Sequence, residues 1–346
     1  MSIARLFPPL LLSASLVLAG CQKPPAEAQV ELPTSASAAA EEGAGAIIGP
    51  PAAVARPLDE DVLEGTKWPA ATVSSGSASI SCSTDYVEDG DGQALVDLGY
   101  LSVLDAMTPC RDAGVVRLRY QGKVAADFAD LVERVTAMAE RMEIDKRILD
   151  IDSAGGMIED GIRAGDHMAE ADWTIWVREG AVCHSACVLV LAGGDMRMIA
   201  GDVGIHRMIR IDSEATSRAE LNRELREVHA LTESYLERNG AAVTVADLMM
   251  TVPNRSLRLL TGDELTLFGL TGPNAVEDDL DRIRLGRKCG ESFVQRRDRF
   301  FRAFDNECTA LAEQVEDMNE CGRALRQRFG FPDEACPAES PLAEYN

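Results

Sequence analysis

The chain has 346 residues, of which 34 are Lys or Arg and 57 are Asp or Glu, giving a formal net charge of −23. Such a surface repels polyanions nearly everywhere, which excludes nucleic acid as a partner. With 46% hydrophobic and 26% charged residues the composition is that of a folded globular chain, and no apolar run after residue 20 is long enough to span a bilayer.

In chain order, Arg5 and the run Leu10–Leu18 (LLLSASLVL) read as the n-region and h-region of a secretion signal. Leu18-Ala19-Gly20-Cys21 follows and resembles the lipobox of bacterial lipoproteins. That resemblance implies removal of residues 1–20, a lipid on Cys21 and a membrane anchor. Gln22, where Asp would signal inner-membrane retention, implies the periplasmic side of the outer membrane. Residues 22–67 hold no aromatic residue and are crowded with Ala, Pro, Glu, Ser and Gly. A stretch of that composition buries too little apolar area to offset its chain entropy, so residues 21–70 are expected to form a tether. Residues 71–111 are read as an N-terminal extension of the folded domain.

Apart from Cys21, eight cysteines remain: 82, 110, 183, 187, 289, 308, 321 and 336. Only Cys183-x3-Cys187 is closely spaced, with His184 between, and a zinc site wants a second such pair. Structural disulfides are therefore expected. Cys183 and Cys187 flank a strand-to-helix turn at a spacing a disulfide can bridge, and two buried thiols packing like alanine are the alternative.

Alternation of short apolar runs with amphipathic stretches predicts strands at 115–120, 148–151 and 173–177, and a strand-like segment at 204–211. It predicts helices at 125–143, 157–171 and 218–238, with residues 186–192 apolar. Repeated strand–helix units mean a parallel sheet with right-handed crossovers, an α/β domain over residues 112–285. Sites in such sheets lie at the carboxyl ends of strands. There Asp152-Ser153-Ala154-Gly155-Gly156 opens a helix, and its amides suit an oxyanion. Ser185, in Cys183-His184-Ser185-Ala186-Cys187, ends a strand where its Oγ is exposed and the Ala186 N–H points at a bound carbonyl oxygen. His206 ends Gly204-Ile205-His206 and is able to take the serine proton. His184 is expected to point away from the site or to pack, His167 and His229 to lie on helix faces, and Asp150 and Asp152 to be strand-end carboxylates. Trp173 and Trp176 are read as packing residues.

Together these motifs resemble the Clp protease proteolytic subunit family and its wider ClpP/crotonase fold, over about 170 residues. Ile151–Gly156 matches the family's turn with Ala154 in place of proline. Ser185 stands at the nucleophile 29 residues beyond Gly156, and His206 at the base. Residues 218–238 and 260–270 are similar to the handle helix and the stretch that closes it. The resemblance implies catalysis by Ser185 and His206, an oxyanion hole from Gly156 and Ala186, a peptide or protein substrate and no cofactor, and it allows a homo-oligomer through helix 218–238. The ungapped position of the triad aspartate falls on Leu257, with only Asn254 or Ser256 as polar neighbours. A Ser–Lys dyad is disfavoured, because Lys23, Lys67, Lys123, Lys146 and Lys288 all lie outside these motifs. A binding or scaffold protein that has lost the acid is the competing expectation, and an acyl-CoA enzyme a poorer third.

The tail, residues 286–346, is expected to be a helical, disulfide-stapled appendage. Phe293, Phe300, Phe301 and Phe304 cluster there, and Leu311, Val315, Met318 and Leu325 share a face. Cys321 reaches Cys336 across Gly330-Phe331-Pro332, although three connectivities are open.

Overall fold

The computed structural model describes residues 66–208, 213–253, 255–310 and 315–343. The lipobox with Cys21, most of the tether, Asn254 and Leu311 lie outside them. The chain opens with β1 (Gly76–Ser81), β2 (Gln93–Ala94) and α1 (Tyr100–Ala113). Strand and helix then alternate through β3 (Val115–Gly122), α2 (Ala126–Arg141), β4 (Lys146–Asp152), α3 (Ile158–Ala169) and β5 (Trp173–Val177). Next come β6 (Val182–His184), α4 (Cys187–Ala192), β7 (Met196–Ile199), β8 (Asp202–Ile205), α5 (Arg218–Arg238) and α6 (Thr244–Thr251). After β9 (Arg258–Leu259), α7 (Gly262–Leu267) and β10 (Gly272–Pro273), the tail is helical: α8 (Ala275–Cys289), α9 (Glu291–Ala303), a π-helical turn (Phe304–Thr309) and α10 (Val315–Arg328).

The main sheet has the order β10-β7-β5-β4-β3-β1-β2. Its centre, β3, β4, β5 and β7, is parallel, and the edges are antiparallel. This is the α/β architecture expected from the alternation. Burial follows the sequence pattern: Phe128, Leu131, Val132, Val135 and Met138 of α2 are fully buried against the sheet. Along β5, Trp173, Ile175 and Val177 point into that core while Thr174 and Trp176 stand on the other face. Trp173 is also held by its indole N–H, which donates to Thr136 Oγ1 at 3.1 Å.

The second face carries charge. Arg119 and Asp150 are cross-strand partners joined at 2.5 Å, and Arg117 and Arg178 also meet the Asp150 carboxylate. Asp150 is thus the buried counter-ion of three guanidinium groups, where the sequence reading gave it no role. A small second sheet, β6-β8-β9, leans on this framework.

Two expectations are corrected. The strand-like segment at 204–211 does not run on through His206: β8 ends at Ile205, and residues 209–211 lie outside the described residues. Beyond Ile205 the backbone is taken over by the end of α6, where Arg207 N–H donates to Val252 O at 2.7 Å and Met208 N–H to Met249 O at 2.8 Å. In the tail the bridges are Cys289–Cys336 and Cys308–Cys321, and Cys321 does not pair with Cys336. The π-helical turn and α10 pack together and set Cys308 on Cys321, and Cys336 Sγ comes against the backbone of Lys288, next to Cys289. These helices share a separate apolar cluster in which Phe300 sits 6.1 Å from Phe304, ring centre to centre, while Phe301, 5.4 Å from Phe300, is exposed. Cys82–Cys110 joins the end of β1 to α1.

At the base of β7, burial pushes the Asp195 carboxyl up to about 7, with Asp172 and Glu277 adding to the rise. The folded chain therefore keeps a proton that the unfolded chain releases above its ordinary value of 3.8. Stability should fall as pH rises from about 4 through about 7. Asp195→Asn should flatten that slope and be more stable than wild type at pH 8 by on the order of 2–4 kcal/mol, read by urea unfolding at several pH values. A wild-type stability that rises over the same interval would contradict the assignment.

Candidate active site

Ser185 is the hinge between β6 and α4, and it is buried, at 9% exposure, where an exposed serine was expected. Its φ is +55°, a left-handed conformation that side chains other than glycine rarely adopt. Holding it there costs about 1–3 kcal/mol, supplied by the surroundings. Those surroundings are explicit: Ser185 N–H donates to Gly204 O at 2.8 Å, and Ser185 O accepts from Val188 N–H at 3.0 Å. Cys183 and Cys187, both fully buried, are joined in a disulfide across the turn with Cα atoms 5.2 Å apart. The bridge expected at this spacing is present, and it spans the serine.

The glycine turn is laced onto the same strand. Ser153 N–H donates to Val182 O at 2.7 Å, and His184 N–H donates to Ser153 O at 2.9 Å. Gly155 has φ +101°, and a Cβ there would lie 2.7 Å from Ser185 Cβ and 2.6 Å from His184 O. No side chain fits at that point, so the turn closes directly against the elbow. Gly156 is equally confined, since a Cβ would fall on the Val124 carbonyl. Among the described residues, neither the Gly156 nor the Ala186 N–H donates a backbone hydrogen bond. Both amides therefore remain available to an acceptor beside Ser185.

His206 is half-buried, one residue past β8. Its Nδ1 lies 3.1 Å from Arg207 O. A carbonyl only accepts, so in this contact Nδ1 carries a proton and donates it, and in the neutral ring the lone pair is on Nε2. β9 runs antiparallel to β8 with Gly204 opposite Leu259 and Ile205 opposite Arg258. Leu257 and His206 both lie one residue past the ends of this ladder, and Leu257 is exposed. A Cβ on Gly204 would touch Leu257 Cδ1 at 2.9 Å, so the leucine also covers the glycine. Ser256 is exposed, with its N–H on Pro253 O at 2.8 Å. Among the described residues, Ser185 Oγ and His206 are not hydrogen-bonded to each other. Such contacts commonly close only when substrate binds.

Two groups escaped the sequence reading. One is the Arg207 carbonyl, which as backbone carries no residue-type signal. The other is His184, expected to point away or to pack, whose Nε2 is buried with no partner among the described residues. The remaining histidines lie on helix faces as expected: His167 is 3.5 Å from Glu133, and His229 lies between Glu233 at 3.3 Å and Asp247 at 3.0 Å. His229, Glu233 and Asp247 form the one group able to ligate a metal among the described residues, and they sit on α5 and α6, not at the elbow.

Peptide mapping of unreduced protein should recover Cys183 and Cys187 as a bridged pair. A Cys183→Ala/Cys187→Ala double variant should lose about 2 kcal/mol, since even a short loop constrains the unfolded chain. Alkylation of both thiols without reductant would contradict the bridge.

No protein-family model matches the chain, and no curated relative does. Among solved structures, the chain is similar to a serine-to-alanine mutant of the 1510-N membrane-bound stomatin-specific protease, with 17% identity, 47% of this chain and 81% of that chain covered, and a TM-score of 0.37. It is also similar to a lysine-to-alanine mutant of the 1510-N membrane-bound stomatin-specific protease in complex with a substrate peptide, with 19% identity, 44% and 71% covered, and a TM-score of 0.37.

Proposed function

We propose that the chain is a ClpP-like serine peptidase that cleaves accessible peptides without an ATP-driven partner. The observation that carries the reading is the strained Ser185 at the β6–α4 elbow, with the glycine turn packed against it and the Gly156 and Ala186 amides unengaged by backbone acceptors among the described residues. In this mechanism Ser185 Oγ attacks the peptide carbonyl while His206 Nε2 takes the hydroxyl proton. The Gly156 and Ala186 N–H groups receive the oxyanion. The imidazolium then gives its proton to the leaving amine, and water repeats the sequence on the acyl-enzyme. The Arg207 carbonyl supplies one part of what a triad acid does: it fixes the tautomer and the ring orientation of His206. As a neutral acceptor it supplies less of the other part, stabilisation of the imidazolium, so a slow enzyme is expected.

The second reading, a peptide-binding protein without turnover, is favoured by one observation, a leucine, Leu257, at the ungapped position of the triad acid. The two separate cleanly. Ser185→Ala should abolish cleavage of a broad peptide library, and Leu257→Asp should raise the rate by about tenfold or more, part of the roughly 10⁴ an acid contributes in serine proteases. Equal, background cleavage by wild type and Ser185→Ala would establish the binder instead.

The proposed setting is the periplasm, on a lipid anchor at Cys21. Labelled palmitate should attach to the wild-type chain, and Cys21→Ala should release it from membranes. A mature protein that fractionates as soluble, with a free amino terminus, would overturn the anchor.

A further inference from the structure

Among the disulfides of the described residues, one differs from the rest in what it encloses. Cys82–Cys110, Cys289–Cys336 and Cys308–Cys321 join residues 28, 47 and 13 apart. Cys183–Cys187 joins residues 4 apart. The constraint a bridge puts on the unfolded chain grows with the loop it closes, so this one adds least to global stability. What it encloses is the residue at φ +55°. α4 begins at Cys187 behind Ala186, and no side-chain hydrogen bond caps it. The bond to Cys183 is thus the tie that sets the first residue of the helix against the strand.

The two elements are otherwise held from elsewhere. β6 is fixed through Ser153, whose N–H donates to Val182 O at 2.7 Å and whose carbonyl accepts from His184 N–H at 2.9 Å. α4 is buried along its whole length, and the Tyr235 hydroxyl of α5 donates to Leu189 O at 2.7 Å. Opening the bridge therefore leaves strand and helix in place and releases the three residues between them. Two thiols approach only to van der Waals contact, and both cysteines are fully buried, with no solvent to move into. The elbow must widen, and the left-handed conformation is the costliest thing it holds.

We propose that the Cys183–Cys187 pair is a redox gate on Ser185: the serine becomes a nucleophile only after the two thiols have been oxidised. The gate acts on the nucleophile of the peptidase reading and rests on that reading. The oxidant is another disulfide, of a small thiol or of a thiol–disulfide exchange protein. One cysteine thiolate attacks it and expels a thiol, and the second displaces the other thiol from the mixed disulfide. Two S–H bonds of the chain and one S–S bond of the oxidant break, while one S–S bond of the chain and two S–H bonds of the product thiols form. Two electrons and two protons thus pass to the oxidant. Because both cysteines are fully buried in the finished fold, the exchange takes place as the chain folds, and the closed bridge is then shielded from reductant. The chain is silent where thiols are kept reduced and gains its nucleophile on folding in an oxidising compartment.

The test is the rate at which a fluorophosphonate probe labels Ser185 in the full chain. A folded Cys183→Ala/Cys187→Ala variant should label about tenfold more slowly than wild type or worse, since a conformer populated a tenth of the time reacts a tenth as fast. Labelling at the wild-type rate overturns the gate. Cys82→Ala/Cys110→Ala, which opens a bridge away from the elbow, should label as wild type, and an equal loss in that folded variant overturns a local gate. Should the elbow variant fail to fold, the wild-type chain decides. Trypsin cuts after Arg178 and Arg197, so one peptide, residues 179–197, carries both cysteines and the serine. Chain refolded under partial oxidation is passed through gel filtration, and its compact fraction is probed, alkylated and digested. The bridged form of that peptide should carry the adduct about tenfold more often than the alkylated form, and equal fractions overturn the gate. If oxidised wild type takes no probe, the peptidase reading fails. Amide exchange at Ser185 and Val188, whose N–H groups bond to Gly204 O and Ser185 O, then tests the bridge by itself. It should be about tenfold faster in the elbow variant, and unchanged exchange overturns the hold of the bridge on the elbow as well.

Discussion

The site depends on one backbone constraint, the left-handed conformation of Ser185 between β6 and α4. A strand that runs straight into a helix has no room for an outward hydroxyl unless one residue turns sharply, and a side chain at that residue carries a steric cost. Nearly every local feature offsets that cost. The Cys183–Cys187 bridge closes the turn from the core side, and the Gly204 carbonyl holds the Ser185 amide. Gly155 lies against the serine Cβ because it has no side chain of its own. The parallel centre of the main sheet brings the end of β4 beside β6, so the glycine turn and the elbow meet.

The electrostatics are less complete than the backbone. The ungapped position of the triad acid holds Leu257, and His206 Nδ1 meets the adjacent Arg207 carbonyl. That carbonyl is steady only because its residue is tied to α6 through Val252. The loop that breaks β8 is therefore what sets the position of His206, the base of the proposed mechanism.

How much was legible in the sequence varied with the kind of signal. Trp173–Val177 and Arg218–Arg238 were readable to the residue, because alternation and helical periodicity reflect burial directly. The strand expected at 204–211 was misread past Ile205, since an apolar pattern does not reveal that the next amides bond to a helix end. The Cys183–Cys187 bridge was legible because its geometry is local, whereas the tail pairing depended on how three helices and a π-helical turn fold back together. Gly156, Ser185, Ala186 and His206 were singled out from residue types and their order, and of these the structure places the glycine turn and Ser185 together at the elbow. The orienting carbonyl was not, because every residue has one. His184 was visible in the sequence, but its side-chain direction depends on the β6–β8 register, which only the tertiary structure supplies.

The central claim is that the strained elbow makes Ser185 a nucleophile. Reaction of the native protein with a fluorophosphonate probe, followed by peptide mapping, tests it most directly. The account predicts one adduct, on Ser185, that is absent from heat-denatured protein. Absence of an adduct on Ser185 in native protein, or equal labelling of native and denatured chains, would contradict it.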